Sequence, residues 1–535
     1  MRSPLLAHRT RHTGRLGRVT AAAAVAAVGL LVVACGGETT TDGALEDPAN
    51  DPAGEEAGEE ATAEVDDDRP STNLRVSYPQ EPPNWDYTEN TATANRALLV
   101  HNVVEPLLER QEDGSWAPLL ADVTVSEDGL TYVLELVDAT FHDGTALTSA
   151  DVVYSLEYNR ASPHAVVSVP FDAVAAIEPD GERTVTVTLD QPSQRFLEGL
   201  SGVSGLIIAE GSSGDLATQP VGTGPYTFDE WRPDVSVSLR RFEDYWAELP
   251  YFESIDYRFI GDETAALNAL RAGDIDLVGA IVGDGVEQFD SIDATEGLVG
   301  LTSPSTNIHY LTLNAEDPVF DDARVRQAIA HAIDREPILL GGFGGRGEAN
   351  CVFVNPPNVP WNSDYCPYPH DPDRARELLA DAGREDLELT LKFPQVADFP
   401  PIAEIEIAQL AAVGISVESQ GRDLPTFLDE VLADFDYQLA TISGAPQIDA
   451  WVGEGRMTRD ALPEFDALLA EADAATDVDE WAELRREAVE LHADRAYLIP
   501  LGNKDDIFAA RDDLAGIKPF RAAQEVDFRR LRWAD

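Results

Sequence analysis

Basic residues are scarce: 38 Lys+Arg stand against 98 Asp+Glu over 535 residues, a formal net charge of −60. Such a field repels phosphate backbones and anionic headgroups, which argues against nucleic acid and against a membrane surface held by charge. Its plain consequence is solubility rather than a preference for cationic substrates. Cysteine is nearly absent, at three residues, and no C-x-x-C occurs, so neither a zinc nor a dithiol redox site is encoded. G-x-S-x-G is missing too: Ser204 sits in Gly202-Val203-Ser204-Gly205 and lacks the spacing of a nucleophile elbow. His101, His142, His309, His331, His370 and His492 show no i, i+4 pairing, and no metal or other cofactor is implied. Beyond the first 34 residues, no apolar run reaches the roughly 18 residues that a spanning helix needs.

What is present begins with the leader. Arg2, Arg9, Arg11, Arg15 and Arg18 precede an apolar run from Ala21 to Ala34, with no acidic residue in the segment. A basic start, a short apolar core and a small residue before a cleavage point predict a secretory signal over 1–34, not a spanning helix. Val32-Val33-Ala34-Cys35 resembles the lipobox of bacterial lipoproteins. That resemblance implies cleavage before Cys35, acylation of its thiol, and an extracytoplasmic protein anchored to the outer face of the cell membrane. An ordinary secretory signal with an incidental Cys35 is the plainer alternative. Residues 35–70 continue as a tether rich in Gly, Thr and acids, a composition that cannot offset its own ordering entropy. With Cys35 given to a lipid, Cys351 and Cys366 are an even remainder in an exported chain and are expected to form one disulfide.

The body from about residue 71 is too long for one ordinary core, so at least two lobes are expected. Alternation with period two predicts strands at 130–136, 185–189, 235–239 and 387–393. Helices are predicted over 262–273, 371–383, 405–413 and 478–492. In the first, Ala266, Leu267 and Leu270 share a face; in the second, Asp371 caps and Pro372 takes the first turn. Short strands are predicted at 275–278, 415–417 and 497–501. Strand–helix–strand order indicates an α/β fold of mixed sheets flanked by helices.

Three blocks, in order, carry a family resemblance. The first is Ser126–Tyr132, Phe141-His142-Asp143-Gly144-Thr145 and Leu147–Ser155. The second is Gly222-Thr223-Gly224-Pro225-Tyr226 with Asp244-Tyr245-Trp246. The third is Leu313-Asn314, Phe320–Ala328 and Ala332–Arg335. Each is weak alone; as an ordered set across 72–535 they are specific. The chain resembles family 5 of the extracytoplasmic solute-binding proteins of ABC importers, the group with dipeptide-, oligopeptide- and nickel-binding members. The resemblance implies a bilobal periplasmic-binding-protein type II clamshell. Lobe one would be 71–305 plus 499–535 and lobe two 306–498, with hinge crossings near Ser305–Asn314 and Ile499–Lys504. It implies a binding protein, not an enzyme, that captures a peptide or peptide-like solute and delivers it to ABC permease subunits. A metal chelate or a saccharide is the alternative ligand. A secreted lipoprotein hydrolase is the rival from another class, and the missing nucleophile motif argues against it.

Two motifs invite chemical readings that their contexts do not support. Phe141-His142-Asp143-Gly144 reads as a turn with Gly144 at positive φ. Gly342-Phe343-Gly344-Gly345-Arg346-Gly347 fits G-x-G-x-x-G, but it follows a helix over 321–339 and is expected to be a flexible loop, not a phosphate cradle. The ligand-binding candidates are Tyr78, Gln80 and Trp85 after the first strand, Tyr310 in the first crossing, and Ser443, Gln447, Asp449 and Trp451. Aromatic area with polar tips suits a cleft, although Trp85 and Trp451 suit core packing equally. In peptide-binding members of the family, an acid directly after Ser-Gly pairs with the ligand's amino terminus. Ala445 stands there in this chain, which leaves Asp449, with Gln447 as a neutral partner, as the candidate replacement.

Overall fold

The computed structural model describes residues 72–534 apart from 91, 112–114, 282–287, 353–364, 397, 445–447, 449–450, 454–455 and 518–525. The leader, Cys35 and the tether lie outside the described residues, as do Ala445, Gln447 and Asp449.

One mixed sheet runs through the molecule. Its strands lie side by side in the order Ser416–Arg422, Glu388–Pro394, Leu439–Gly444, Leu298–Leu313, Leu498–Arg511, Leu277–Ile281, Asn73–Tyr78, Ser254–Phe259, Ser236–Arg241 and Tyr226–Arg232. Parallel strands need crossover connections, and two helices supply them here, the first joining the two strands that flank Asn73–Tyr78. Glu263–Ala272 connects Ser254–Phe259 to Leu277–Ile281, and Phe399–Ala412 connects Glu388–Pro394 to Ser416–Arg422. A second, antiparallel sheet of four strands orders Ala121–Val125, Thr131–Leu136, Thr184–Leu189 and Val174–Pro179. Tyr132, Leu134 and Leu136 point into its core with Val185, Val187 and Leu189, as their alternation predicted.

Local signals explain most helix ends. Asp262 Oδ1 accepts from Ala265 N at 2.7 Å, and Asp371 Oδ1 accepts from Arg374 N at 2.9 Å. The 405–413 helix starts earlier, at Phe399, because Pro400 and Pro401 sit in a first turn whose N–H groups have no intrahelical partner anyway. The single helix expected over 321–339 is two, Ala323–Ala332 and Arg335–Gly341. Ile333 is extended, and the Asp334 side chain caps the second helix by accepting from Glu336 N at 3.2 Å.

Buried apolar residues divide by chain segment. Those from Ile308 to Leu501 pack in two cores, around Ile329 and Leu391 and around Tyr310 and Ile442. Those before Leu301 and after Ile507 pack in others. One small cluster is the exception: Trp481 with Ala472, Ala475 and Ala482 receives Trp116. Cys351 and Cys366 are joined by a disulfide.

Candidate ligand cleft and hinge

The two long strands, Leu298–Leu313 and Leu498–Arg511, pass from one group of cores to the other. They pair antiparallel from Leu298↔Arg511 to Pro304↔Asp505, and the ladder resumes at Ile308↔Asn503. The first strand therefore spends more residues than its partner across the break, and carbonyls there leave the ladder. Asn503 replaces the missing bonds. Its buried Nδ2 donates to Ser305 O at 3.3 Å and to Asn307 O at 3.2 Å, while Asn350 Nδ2 donates to its Oδ1. A bulged two-strand crossing held by one side chain has the form of a hinge.

Beside the break, three charged or titratable groups meet. His309 pairs with Ser443 on one side and Gly502 on the other. Its Nε2 lies 3.0 Å from Asp398 Oδ2, and Lys504 Nζ lies 3.5 Å from Asp398 Oδ1. The His309 ring rests between Phe343 at 4.9 Å and Phe399 at 5.4 Å. Burial opposes the charge on Asp398, but His309 and Lys504 together hold its carboxyl well below the usual range. The glycine-rich segment closes this region and is not the loose loop expected: Gly347 pairs with Lys504 and Glu348 with Asn503 on the crossing strand. Arg346 reaches Asp290 and lies 4.8 Å over the Phe289 ring.

The residues singled out from sequence separate into groups. Tyr78 is buried and stacked 5.8 Å from Tyr257, and Gln80 is half-buried after it. Trp85 is fully buried against Phe228 at 5.3 Å and Trp231 at 5.9 Å; of the two roles open to it, this is packing. Tyr310 and Trp451 meet edge to face at 5.4 Å inside a core that includes Phe427 and Ile442, which is packing as well. Ser443 is half-buried opposite His309. The structure thus gathers Tyr310, Ser443 and Trp451 near the break in the crossing strands and keeps Tyr78 and Trp85 in another core. His309, Asp398, Asn503 and Lys504 were not anticipated as a group. Asp398 before Phe399-Pro400-Pro401 is a helix-start signal, and nothing local links it to the other three.

The motif blocks resolve into structural work. His142 Nδ1 accepts from Gly222 N at 3.3 Å and its Nε2 donates to Gly224 O at 2.9 Å, so the neutral ring bridges two motif blocks. Burial pushes its pKa down to about 4. Gly144 has φ 87°. A Cβ at Gly222 would stand 2.1 Å from Val103 O, and one at Gly224 2.6 Å from Asn102 O, so two chain segments touch there. Between them Thr223 Oγ1 donates to buried Glu105 at 2.9 Å, where Tyr245 and Trp246 also donate, at 2.7 and 2.9 Å. Burial raises the Glu105 carboxyl above its ordinary pKa, and those donors offset part of the rise.

The profile of the bacterial extracellular solute-binding proteins, family 5, middle, matches residues 115–450. A Brucella ovis protein named as an ABC transporter peptide-binding protein is 32% identical over 321 residues, 57% of this chain and 59% of its own length. The glutathione-binding protein GsiB of Escherichia coli is 31% identical over 316 residues, 57% of this chain and 60% of its own. The chain therefore spans less than two thirds of the curated relatives it matches. Among solved structures, CtaP of Listeria monocytogenes aligns with TM-score 0.77 at 23% identity, covering 87% of this chain and 100% of CtaP. NikA from Brucella suis, in complex with Fe(III)-EDTA, aligns with TM-score 0.76 at 23% identity, covering 86% and 99%. These likenesses show the fold, the bilobal α/β clamshell of type II periplasmic binding proteins. The family profile matches well over half of the chain, and the chain belongs to the bacterial extracellular solute-binding proteins of family 5.

Proposed function

We propose that this chain is the solute-binding component of an ABC importer. It closes two lobes on a peptide or peptide-like solute outside the membrane and delivers it to the permease subunits. The observation that carries the reading is the pair of crossing strands, broken in register beside Asn503 and set between separate cores. Family membership supports it, as do relatives named for peptide and glutathione binding. Lobe one is taken as 71–305 plus 499–535 and lobe two as 306–498. The change of core between Leu301 and Ile308, and again between Leu501 and Ile507, supports those limits. Ligand walls are proposed at Gln80 and Ser443, with Asp449 and Gln447 receiving an amino terminus in place of the acid absent at Ala445. A lipid on Cys35 is the proposed anchor. If Cys35→Ser protein were still processed normally and membrane-bound, the anchor would be wrong.

Thermal-shift screening of the chain without its leader tests the ligand. Peptides with free and acetylated amino termini are compared with metal chelates and sugars. A ligand at 100 times its Kd adds about 2.7 kcal/mol. Stabilisation by peptides, weakened in Asp449→Ala only for free amino termini, is the expected result. Stabilisation by chelates or sugars alone would reassign the ligand class, and a free-terminus preference untouched by Asp449→Ala would sink the role of Asp449.

A further inference from the structure

The four-stranded module has its own core and supplies neither a crossing strand nor the Ser443 segment. It does touch the other lobe. Arg195 Nη2, on the helix Gln194–Gly199, lies 3.2 Å from Asp473 Oδ2, at the end of the helix Pro463–Ala474. The neighbouring Gln194, buried, donates from Nε2 to Ala475 O at 3.1 Å. Trp116 and Trp481 stand 6.2 Å apart, and Trp481 is almost fully buried. These are an ion pair, a buried hydrogen bond and an apolar contact. All three join residues of 116–195 to residues of 473–481, remote in sequence from both crossings.

We propose that this module is a clasp that holds the lobes closed before any solute arrives. The inference rests on the two-lobe reading above. Rotation about the crossing strands would pull Trp116 off Trp481, strand the Gln194 amide and Ala475 carbonyl, and separate Arg195 from Asp473. Each loss favours the closed form. A partly exposed ion pair contributes little, while the buried amide and the indole contribute more. A ligand's apparent affinity falls by the fraction of protein that is not binding-competent. If closure stabilised by solute is the competent state, the clasp raises affinity without touching the solute. It also sets a limit: a clasp too strong would bar entry, so its strength tunes the open–closed ratio.

The test uses the solute-free chain without its leader, in the wild type, Arg195→Ala, Asp473→Asn and the charge-swapped double variant Arg195→Asp with Asp473→Arg. Small-angle scattering reads the radius of gyration, and acrylamide quenching reads tryptophan exposure, with Trp481→Phe assigning the signal. Unchanged far-ultraviolet circular dichroism qualifies each variant, and the two single variants lie on partly exposed side chains. Each should move the open–closed ratio toward open by about threefold, the order expected of one such pair, and the swap should restore it. The clasp is refuted if Trp116→Ala combined with Arg195→Ala, which removes the apolar contact and the ion pair together, still scatters and quenches like the wild type, if the swap fails to reverse the shift of the single variants, or if the solute-free wild type is already open. No solute enters this experiment, so an error in the proposed ligand class would appear in the thermal-shift screen and not here.

Discussion

Trp451 packs directly against Gly444: a Cβ built at 444 would stand 2.0 Å from Trp451 Cζ2. The Ser443-Gly444 pair therefore ends its strand in glycine because the indole occupies the space a side chain would need. The neighbours cannot yield cheaply, since Trp451 is wedged edge to face on Tyr310 inside a core. Gly444→Ala is expected to overpack this core and cost about 1–3 kcal/mol. Urea denaturation reads the loss, and a red-shifted tryptophan emission reads the displaced indole. A variant as stable as the wild type would contradict the contact.

Asn503 holds two carbonyls that the bulge removed from the ladder. Asn503→Leu keeps the approximate volume and deletes the donor, leaving Ser305 O and Asn307 O without it. The expected cost is about 1–3 kcal/mol per unsatisfied buried group. Hydrogen exchange should rise selectively on both crossing strands. Exchange that rises uniformly, or not at all, would show that Asn503 does not hold the crossing strands together.

Glu406 gives the chain a pH signature. It is fully buried on the helix Phe399–Ala412, and burial pushes its carboxyl up to about 8, which the Thr441 hydroxyl, donating to it, offsets only in part. An unfolded glutamate titrates near 4.3. Between these values the unfolded chain has lost the proton and the folded chain still holds it. Stability from this group therefore falls as pH rises through that window, by up to about 1.4 kcal/mol per unit, and does not vary below it. Glu406→Gln removes the fall, so its stability relative to the wild type should improve from pH 5 to pH 8. Equal pH dependence of the two proteins in urea melts would show that Glu406 is ionised in the fold.

The disulfide closes a loop of sequence separation 15 between Cys351 and Cys366. On the loop-entropy account, opening it lowers stability by about 3 kcal/mol. A Cys351→Ser, Cys366→Ser double variant should melt correspondingly earlier than the non-reduced wild type. Identical melting, or two titratable thiols in the native protein, would count against the bridge.

Features that depend on near neighbours were legible in the sequence. The alternation of Tyr132, Leu134 and Leu136, the cap at Asp371 and the turn at Gly144 each involve groups a few residues apart, so their pattern is written locally. The same reasoning failed where a local pattern was ambiguous. Trp85 and Trp451 have the area for either a cleft or a core, and only their surroundings chose packing. The glycine-rich segment looked loose because its partner, the strand at Asn503 and Lys504, lies far along the chain.

The composition by itself determined a strongly acidic chain whose first 34 residues hold five arginines and no acid, and the periodicities indicated an α/β fold. Tertiary structure decided which distant groups share a site. Glu105 gathers donors from Thr223 and Tyr245, 118 and 140 residues away, and Asp398 is paired with His309 and Lys504 from two separate crossings. A buried charge needs partners, yet nothing in its own neighbourhood names them. Strand order in the sheet brings them together, and that order is set by the whole chain's burial of apolar surface rather than by any segment alone.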